Sequence, residues 1–203
     1  MQQPSSTTDN NISFPNLLSS SLRNSDKPRI GKVYLLRHEK RGSQISFETP
    51  LLPEGLENAE NTVCPHLERL SIGTIYSSPF VRTLQTIKPF CEKTGKKINL
   101  EWSLVESFPF NPVVSSDFDS IINHDYISFI PYKSPDDTSL LDFYFLKQRV
   151  KNFIESLDRS ENVLLVTHMP VINAVLASRG FEWIEMYTHH QPGAILSMSG
   201  DHI

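Results

Sequence analysis

A short apolar segment that ends in a cluster of cations around one histidine constrains the fold of this chain more than any other feature. The apolar residues at 33–36 are followed by the sequence RHEKR at positions 37–41. Because the apolar run is short, rich in bulky residues and bounded by glycines, it predicts a buried strand rather than a helix. Ligands of open α/β sheets bind beyond the carboxyl ends of the strands, so Arg37 and His38 are expected at a binding crevice.

The cationic segment, taken by itself, allows two interpretations. Arginines beside an imidazole suit a phosphate group, because arginine binds phosphate oxygens in a bidentate fork and stays charged at physiological pH. Alternatively, the strand ends in a basic turn that is exposed to solvent, since a short motif on its own is a weak indication of function.

The overall composition limits the number of domains and the class of partner. With 203 residues, of which 38% are hydrophobic, the chain can form one substantial core. The formal net charge of -4 argues against nucleic acid or an anionic membrane surface as a partner, so the local cations favour a small anion. No apolar run reaches the length needed to span a membrane, and the first residues lack the pattern of a signal peptide.

The two cysteines, Cys64 and Cys91, lie in apolar surroundings without the spacing of metal ligands. This pattern is typical of thiols that serve as small core residues in a reducing compartment. We therefore expect a cytoplasmic protein, with the nucleus as the alternative.

The first 28 residues differ in composition from the rest of the chain. They are rich in Ser, Asn, Gln and Thr and contain few charges. Such a segment cannot bury enough apolar surface to offset its chain entropy, which predicts a disordered polar tail over 1–28 and one domain over 29–203. Apolar residues in the tail have helix-like spacing, so a segment that binds a protein partner is the alternative.

Downstream of the first strand, strand and helix patterns alternate. Further strands are predicted at 74–77, 97–101, 163–166 and 194–198, and helices are predicted to begin at Pro53, Ser78, Asp136 or Asp137, and Pro170. This order is typical of an α/β fold with a mostly parallel sheet. The irregular segment 107–135 is rich in aromatic residues and proline, which indicates a substrate cover or a packed loop.

Prolines and glycines mark the predicted helix boundaries. Ser78 is the predicted N-cap and Pro79 the first residue of a helix that ends at Gly95. Arg82 then falls in the first turn, where the helix dipole favours an anion, although it could equally be an ordinary surface residue. Pro65 is expected to kink the preceding helix, because proline removes a backbone donor.

Two further polar residues follow predicted strands. Glu106 comes shortly after the third strand, and His168 comes directly after the apolar strand 163–166. A glutamate in such a place is usually a solvated surface group. In a doubly wound topology, however, both residues converge with His38 and Arg82 on one crevice.

Together these motifs resemble the histidine phosphatase superfamily, also called the phosphoglycerate-mutase-like family. The resemblance runs from about residue 32 to residue 198 and preserves the family's order. The matching motifs are Leu36-Arg37-His38, Pro50-Leu51 with Gly55 and Ala59, Ser77-Ser78-Pro79 with Arg82 and Gln85-Thr86, Leu104-Val105-Glu106, and Val166-Thr167-His168. Arg41 resembles the additional phosphate-binding arginine of the UBASH3-like phosphatase subgroup.

The resemblance implies a three-layer α/β/α sandwich with a mostly parallel central sheet. It also implies a phosphatase, a hydrolase that acts on a phosphomonoester carried by a small metabolite or a phosphoprotein. In such an enzyme His38 would form a phosphohistidine intermediate, with Glu106 as proton donor and His168 as a further catalytic residue.

The same resemblance assigns Arg37, Arg41, Arg82 and His168 to the phosphate oxygens. It implies no metal and no other cofactor. The adjacent histidines His189 and His190 lack the spacing of zinc ligands.

Two residues depart from the family pattern. Glu39 stands where the family has glycine, and Leu52 replaces the usual threonine helix cap. The Glu39 carboxylate either points into the pocket and repels phosphate, or turns outward to an exposed pair with Lys40 or Arg41. We favour the outward arrangement, because the arginines around His38 are retained.

Two other functions are open from the sequence. A phosphoglycerate-type mutase is one, but the short segment between Glu106 and His168 leaves little room for the cover that shields its phosphohistidine from water, which favours hydrolysis. A non-catalytic binding module in a larger assembly is the other. Retention of both histidines and the acid argues against it.

Overall fold

The computed structural model describes residues 30–44, 46–109, 112–132, 143–178 and 191–198. The predicted tail at 1–28, the helix cap at Asp136 or Asp137 and the histidines His189 and His190 lie outside these ranges. No helix among the described residues has both the length and the apolar character needed to cross a membrane.

Five strands of the described chain form one mostly parallel sheet. They are β1 (Val33–Arg37), β2 (Ile72–Ser77), β3 (Ile98–Leu100), β4 (Asn162–Thr167) and β5 (Ile195–Met198). Their order is β3-β2-β4-β1-β5, and β5 runs antiparallel to β1 while the other neighbouring pairs are parallel. The predicted strands are confirmed, and β4 lies at the centre, as its apolar character on both faces requires.

Helices cover both faces of the sheet. They are α1 (Pro53–Asn58), α2 (Cys64–Glu68), α3 (Val81–Thr94), α4 (Phe143–Ser156) and α5 (Met169–Ala177). One core cluster joins α2 and α3 to Leu36 and Val166, and a second joins α4 and α5 to Leu35 and Leu165. Since successive strand residues point to opposite faces, these clusters form the two interfaces of a three-layer α/β/α sandwich, as predicted.

The interruption predicted at Pro65 takes the form of a π-helical turn. This turn, Ala59–Val63, joins α1 to α2, and Pro65 lies in the first turn of α2. The wider turn accommodates a ring that cannot donate a backbone hydrogen bond. Leu52 is the N-cap of α1 and makes no side-chain cap, in agreement with the sequence.

The predicted N-cap of α3 is wrong by two residues. The N-cap is Phe80 rather than Ser78, because Ser78 continues outward from β2 and its backbone N–H donates to Val166 O at 3.0 Å. The predicted end is confirmed, since Gly95 closes the helix with a φ of 71°, a conformation that glycine adopts without strain.

Glu101 organises the described part of the irregular segment. Its buried carboxylate accepts from the backbone N–H groups of Ser103 (2.7 Å) and Phe129 (2.8 Å). It also accepts from the hydroxyls of Tyr126 (2.6 Å) and Ser128 (2.9 Å). Residues 126–129 of the segment therefore form a packed loop at the end of β3, and Ser116–Ile121 form a 3-10 helix.

The two cysteines are free and buried, as predicted. Burial raises the pKa of Cys91 to about 12 and also raises the pKa of Cys64. Both thiols are thus packing groups of the core cluster formed with α2 and α3.

Candidate active site

The two histidines at the strand ends lie side by side. Strands β1 and β4 are parallel, with Arg37 opposite Thr167, so His38 and His168 follow at the same edge of the sheet. The backbone N–H of His38 donates to Thr167 O at 3.0 Å. The ring centroids are 5.3 Å apart, with the planes inclined at 63°. The convergence expected from the topology is therefore present.

His38 is held as a neutral imidazole with one nitrogen available. Its Nδ1 lies 2.7 Å from the carbonyl oxygen of Glu39, and since a carbonyl can only accept, Nδ1 carries the proton. Burial lowers the His38 pKa to about 3, and the cations of Arg82, Arg37 and Arg41 act in the same direction. Nε2 therefore keeps its lone pair at neutral pH.

His168 is fully buried between polar and aromatic groups. Its Nε2 lies 2.8 Å from Ser78 Oγ, and the Phe80 ring packs against it at 4.9 Å between centroids. Its Nδ1 lies 3.6 Å from Glu106 Oε1 and has no hydrogen-bond partner among the described residues. Burial, followed by the proximity of His38, lowers the His168 pKa.

Arg82 is a buried member of the site, which excludes the surface interpretation. Its side chain has no exposed area, and its Nη1 donates to Ser46 O at 2.8 Å. Nη2 donates to Glu106 Oε1 in an ion pair, and the guanidinium lies 4.3 Å from the centroid of the Phe80 ring. Burial lowers the Arg82 pKa, and the Glu106 charge opposes that shift.

Glu106 is not a freely solvated surface group. Its side chain is 16% exposed and contacts Arg82 and His168. The preceding residue is held by helix α4, because Arg149 Nη2 donates to Val105 O. The Arg149 guanidinium also lies 5.1 Å from the centroid of the Phe108 ring, so it contacts residues that precede and follow Glu106 in the chain.

Arg37 and Arg41, the two predicted site residues not yet described, line a cleft of about 370 Å³. The wall of the cleft is formed by the segment 37–41, which includes Glu39 and Lys40, together with Glu106, Met169, Pro170 and Pro192. Burial lowers the Arg37 pKa, and the charge of Glu106 opposes this. Arg41 Nη1 donates to the carbonyls of Gly42 (2.8 Å) and Gln44 (3.0 Å), which fixes the guanidinium beside the cleft. The structure therefore gathers all six predicted site residues at one place.

The arrangement favoured for Glu39 from the sequence is wrong. Glu39 is 3% exposed, and its Oε2 accepts from the backbone N–H of Lys40 at 3.2 Å instead of pairing with a cationic side chain. The Lys40 ammonium pairs with Glu54 at 2.6 Å. The Glu39 side chain is also hydrogen-bonded to Asn58, and burial raises the pKa of its carboxyl group.

Three residues that contact the site were not predicted as site residues. Ser78 and Thr86 stand within quoted motifs, but their contacts with His168 and with the Glu39 N–H depend on tertiary packing. Arg149 carried no sequence signal, because its contact joins parts of the chain that are far apart. Within the described ranges, no group of three potential metal ligands is arranged as a metal site.

Comparison with models of protein families shows to which family the chain belongs. The model of the histidine phosphatase superfamily (branch 1) matches residues 33–198. The chain belongs to the histidine phosphatase superfamily. The match does not identify the UBASH3-like subgroup, which stays a prediction. Among curated proteins, a search finds no match for this chain.

Several solved structures share the fold of this chain, and some of them are named as phosphatases. The ecdysone phosphate phosphatase from Bombix mori, in complex with tungstate, is 14% identical with a TM-score of 0.60, covering 84% of this chain and 89% of that chain. The mycobacterial glucosyl-3-phosphoglycerate phosphatase is 15% identical with a TM-score of 0.58, covering 84% and 90%. Bacillus stearothermophilus YhfR is 18% identical with a TM-score of 0.61, covering 84% and 92%. At these identities the likeness shows the fold.

Proposed function

We propose that this protein is a phosphatase that hydrolyses a phosphomonoester through a phosphohistidine intermediate on His38. The observation that carries the proposal is the state of His38: a neutral ring, a proton fixed on Nδ1 by the Glu39 carbonyl, and an Nε2 at a strand end that makes no hydrogen bond among the described residues. The arginines around the cleft supply the positive charge that a phosphate dianion needs.

In the first step, His38 Nε2 would attack phosphorus while the bond from phosphorus to the leaving oxygen breaks. The Glu106 carboxylate would take up one proton as the phosphate ester binds and would pass it to that oxygen, so the alcohol leaves as a neutral molecule. In the second step, Glu106 would accept a proton from water as the water oxygen attacks phosphorus, which releases inorganic phosphate and restores neutral His38. Arg37, Arg41, Arg82 and His168 would bind the phosphate oxygens in both steps.

The contacts of His168 support its proposed role as a donor to phosphate. If the Ser78 hydroxyl donates to Nε2, the proton of the neutral ring resides on Nδ1, which is the atom near Glu106. A neutral His168 would then offer one N–H to a phosphate oxygen. It would do so without adding another full charge beside Arg82.

Hydrolysis is proposed in preference to phosphoglycerate-type transfer, because a mutase has to shield its phosphohistidine from water. Among the described residues that line the cleft, none belongs to the segment 107–132. Two aromatic residues of that segment, Phe118 and Phe108, are instead buried in core clusters. The non-catalytic binding module is the second alternative, and the neutral, oriented His38 argues against it.

A substrate panel tests this proposal. Sugar phosphates, nucleotides, phosphoglycerates and a phosphotyrosine peptide would be assayed for phosphate release by the wild type and by His38→Ala, with and without a chelator. We expect metal-independent release with at least one class, an acid-labile phosphoenzyme in the wild type, and neither in the variant. Phosphoryl transfer to a second phosphoglycerate would indicate a mutase. Absence of turnover on every class by a folded protein would support the binding module.

We also propose a cytoplasmic or nuclear location, on the basis of the free, buried thiols. Imaging of the full chain with a fluorescent tag at its carboxyl end tests this proposal. Signal in a secretory compartment would contradict it.

A further inference from the structure

The side chain of Glu39 fills a space between three separate parts of the chain. Its Oε2 accepts from the Lys40 backbone N–H, and the side chain of Asn58, the last residue of α1, is hydrogen-bonded to it. With 3% of its surface exposed, Glu39 is almost completely enclosed. An enclosed carboxyl group is retained at low cost only where such hydrogen bonds are made.

The third part is the turn before β5. A Cβ atom built on Gly193 would lie 2.0 Å from Glu39 Oε1, so the carboxylate occupies the volume that a side chain at this position would need. Gly193 has a φ of 74°, and its N–H donates to Arg37 O at 3.2 Å. The turn that receives the carboxylate is thus itself attached to the end of β1.

The backbone of the same residue orients His38. The Glu39 carbonyl accepts from His38 Nδ1, and the Glu39 N–H donates to Thr86 Oγ1 at 2.9 Å. A displacement of Glu39 would therefore move the group that fixes the imidazole proton. The carboxylate is hydrogen-bonded to Lys40 N–H and Asn58, and burial raises its pKa against the smaller effect of the Arg37 charge, which acts to lower it.

We propose that Glu39 is a positioning residue, whose side chain holds the 38–41 loop between Asn58 and Gly193 so that its carbonyl keeps His38 in one tautomer and orientation. The proposal rests on the proposed function, because it assigns His38 the attacking role. In this role the Glu39 side chain, at a position where the family pattern has glycine, holds the loop in place. Such a positioning role is distinct from an effect of the Glu39 charge on phosphate binding.

Kinetics of matched variants separate positioning from charge. Glu39→Ala removes the contacts, whereas Glu39→Gln keeps the shape and an acceptor for Lys40 N–H. We expect Glu39→Ala to lower kcat at least about tenfold, since misplaced reacting groups are costly. We expect the dissociation constant of inorganic phosphate to change less than about twofold, and Glu39→Gln to retain kcat within about threefold. Glu54→Ala, which removes an exposed carboxylate that pairs with Lys40, is the control and should leave kcat unchanged.

Three kinetic results would overturn the proposal. They are an unchanged kcat in Glu39→Ala, a loss in Glu39→Gln as large as in Glu39→Ala, and an effect confined to phosphate affinity. Nitrogen NMR of the His38 ring adds a readout that needs no turnover. We expect the Nδ1–H tautomer alone in the wild type and a mixture of tautomers in Glu39→Ala. A single tautomer in both proteins would also overturn the proposal.

A double-mutant cycle tests the contact itself. Gly193→Ala should lower the urea midpoint of unfolding more in the wild type than in Glu39→Ala, where the carboxylate is gone. The backbone strain at Gly193 is the same in both backgrounds and cancels in the cycle. Additive effects would show that the contact does not exist. A wild type without turnover but with this coupling and a single His38 tautomer would overturn the proposed function while leaving the Glu39 geometry in place.

Discussion

Arg82 Nη2 donates to Glu106 Oε1, so a residue proposed to bind phosphate and the proposed proton donor hold each other in place. Arg82 is fully buried and is also bonded to Ser46 O, which leaves Glu106 as the more exposed partner. Removing one member of a buried ion pair leaves the other charge uncompensated. Variants at Glu106 therefore have to keep an acceptor for Arg82 if catalysis is to be measured apart from folding.

Glu106→Gln meets that requirement, because the amide oxygen still accepts from Arg82. We expect a strong loss of kcat/KM for alkyl phosphates, which have poor leaving groups, and a much smaller loss for aryl phosphates, which need little protonation. The measurement is a series of esters with leaving groups of different acidity. Equal losses across the series would make Glu106 a structural residue.

Arg149 should affect the same step through Val105. Arg149→Met keeps much of the side-chain volume but removes the donor to the Val105 carbonyl and the charge over Phe108. We expect a smaller version of the Glu106→Gln pattern, with alkyl esters affected more than aryl esters. Lys147→Met, on the same helix, is the control. A uniform loss across the series would indicate general destabilisation instead.

The buried histidines should make the fold sensitive to acid. The folded-state pKa of His38 is about 3, below the value of about 6.5 in the unfolded chain, so between these values the unfolded state binds more protons. Above about pH 6.5, His38 does not reduce the free energy of unfolding. As the pH is lowered from there towards 3, its titration reduces the free energy of unfolding by about 1.4 kcal/mol per pH unit. The free energy of unfolding of wild type and His38→Asn, measured in urea from pH 7.5 to 5, should diverge in slope below that point. Parallel slopes of the free energy of unfolding against pH would contradict the buried neutral state of His38. His124→Asn, at an exposed position, is the control.

Glu101→Gln should loosen the packed loop without altering the cleft. The neutral amide cannot accept all the hydrogen bonds that the carboxylate receives from Ser103, Tyr126, Ser128 and Phe129. A hydrogen bond to a charged group contributes about 1.5–3 kcal/mol, so we expect a loss of that order in stability. Hydrogen exchange at 123–130 should accelerate most. Unchanged exchange there would show that other contacts hold the loop.

The sequence predicts the elements whose signal is local. Strands β1 and β4 are short apolar runs, and the rule that ligands bind at the carboxyl ends of parallel strands places both histidines together. Ser78 was predicted as a helix cap, but its bonds to Val166 and His168 prevail over local capping preference. The position of Glu39 depends on Asn58 and Gly193, whose proximity only the folded chain establishes. The contact of Arg149 with Val105 was missed for the same reason.

The position of β4 between β1 and β2 has a consequence for the order of folding. Strands β1 and β2 come earlier in the chain but do not pair with each other, so each leaves an unpaired edge until β4 joins them. Pairings between distant parts of a chain form slowly, because the closure entropy precedes the gain. During synthesis the growing chain therefore carries open strand edges on both β1 and β2, and such edges favour aggregation. His38 and His168 come into contact only when β4 closes that gap, so this pair of histidines is among the last structures to form.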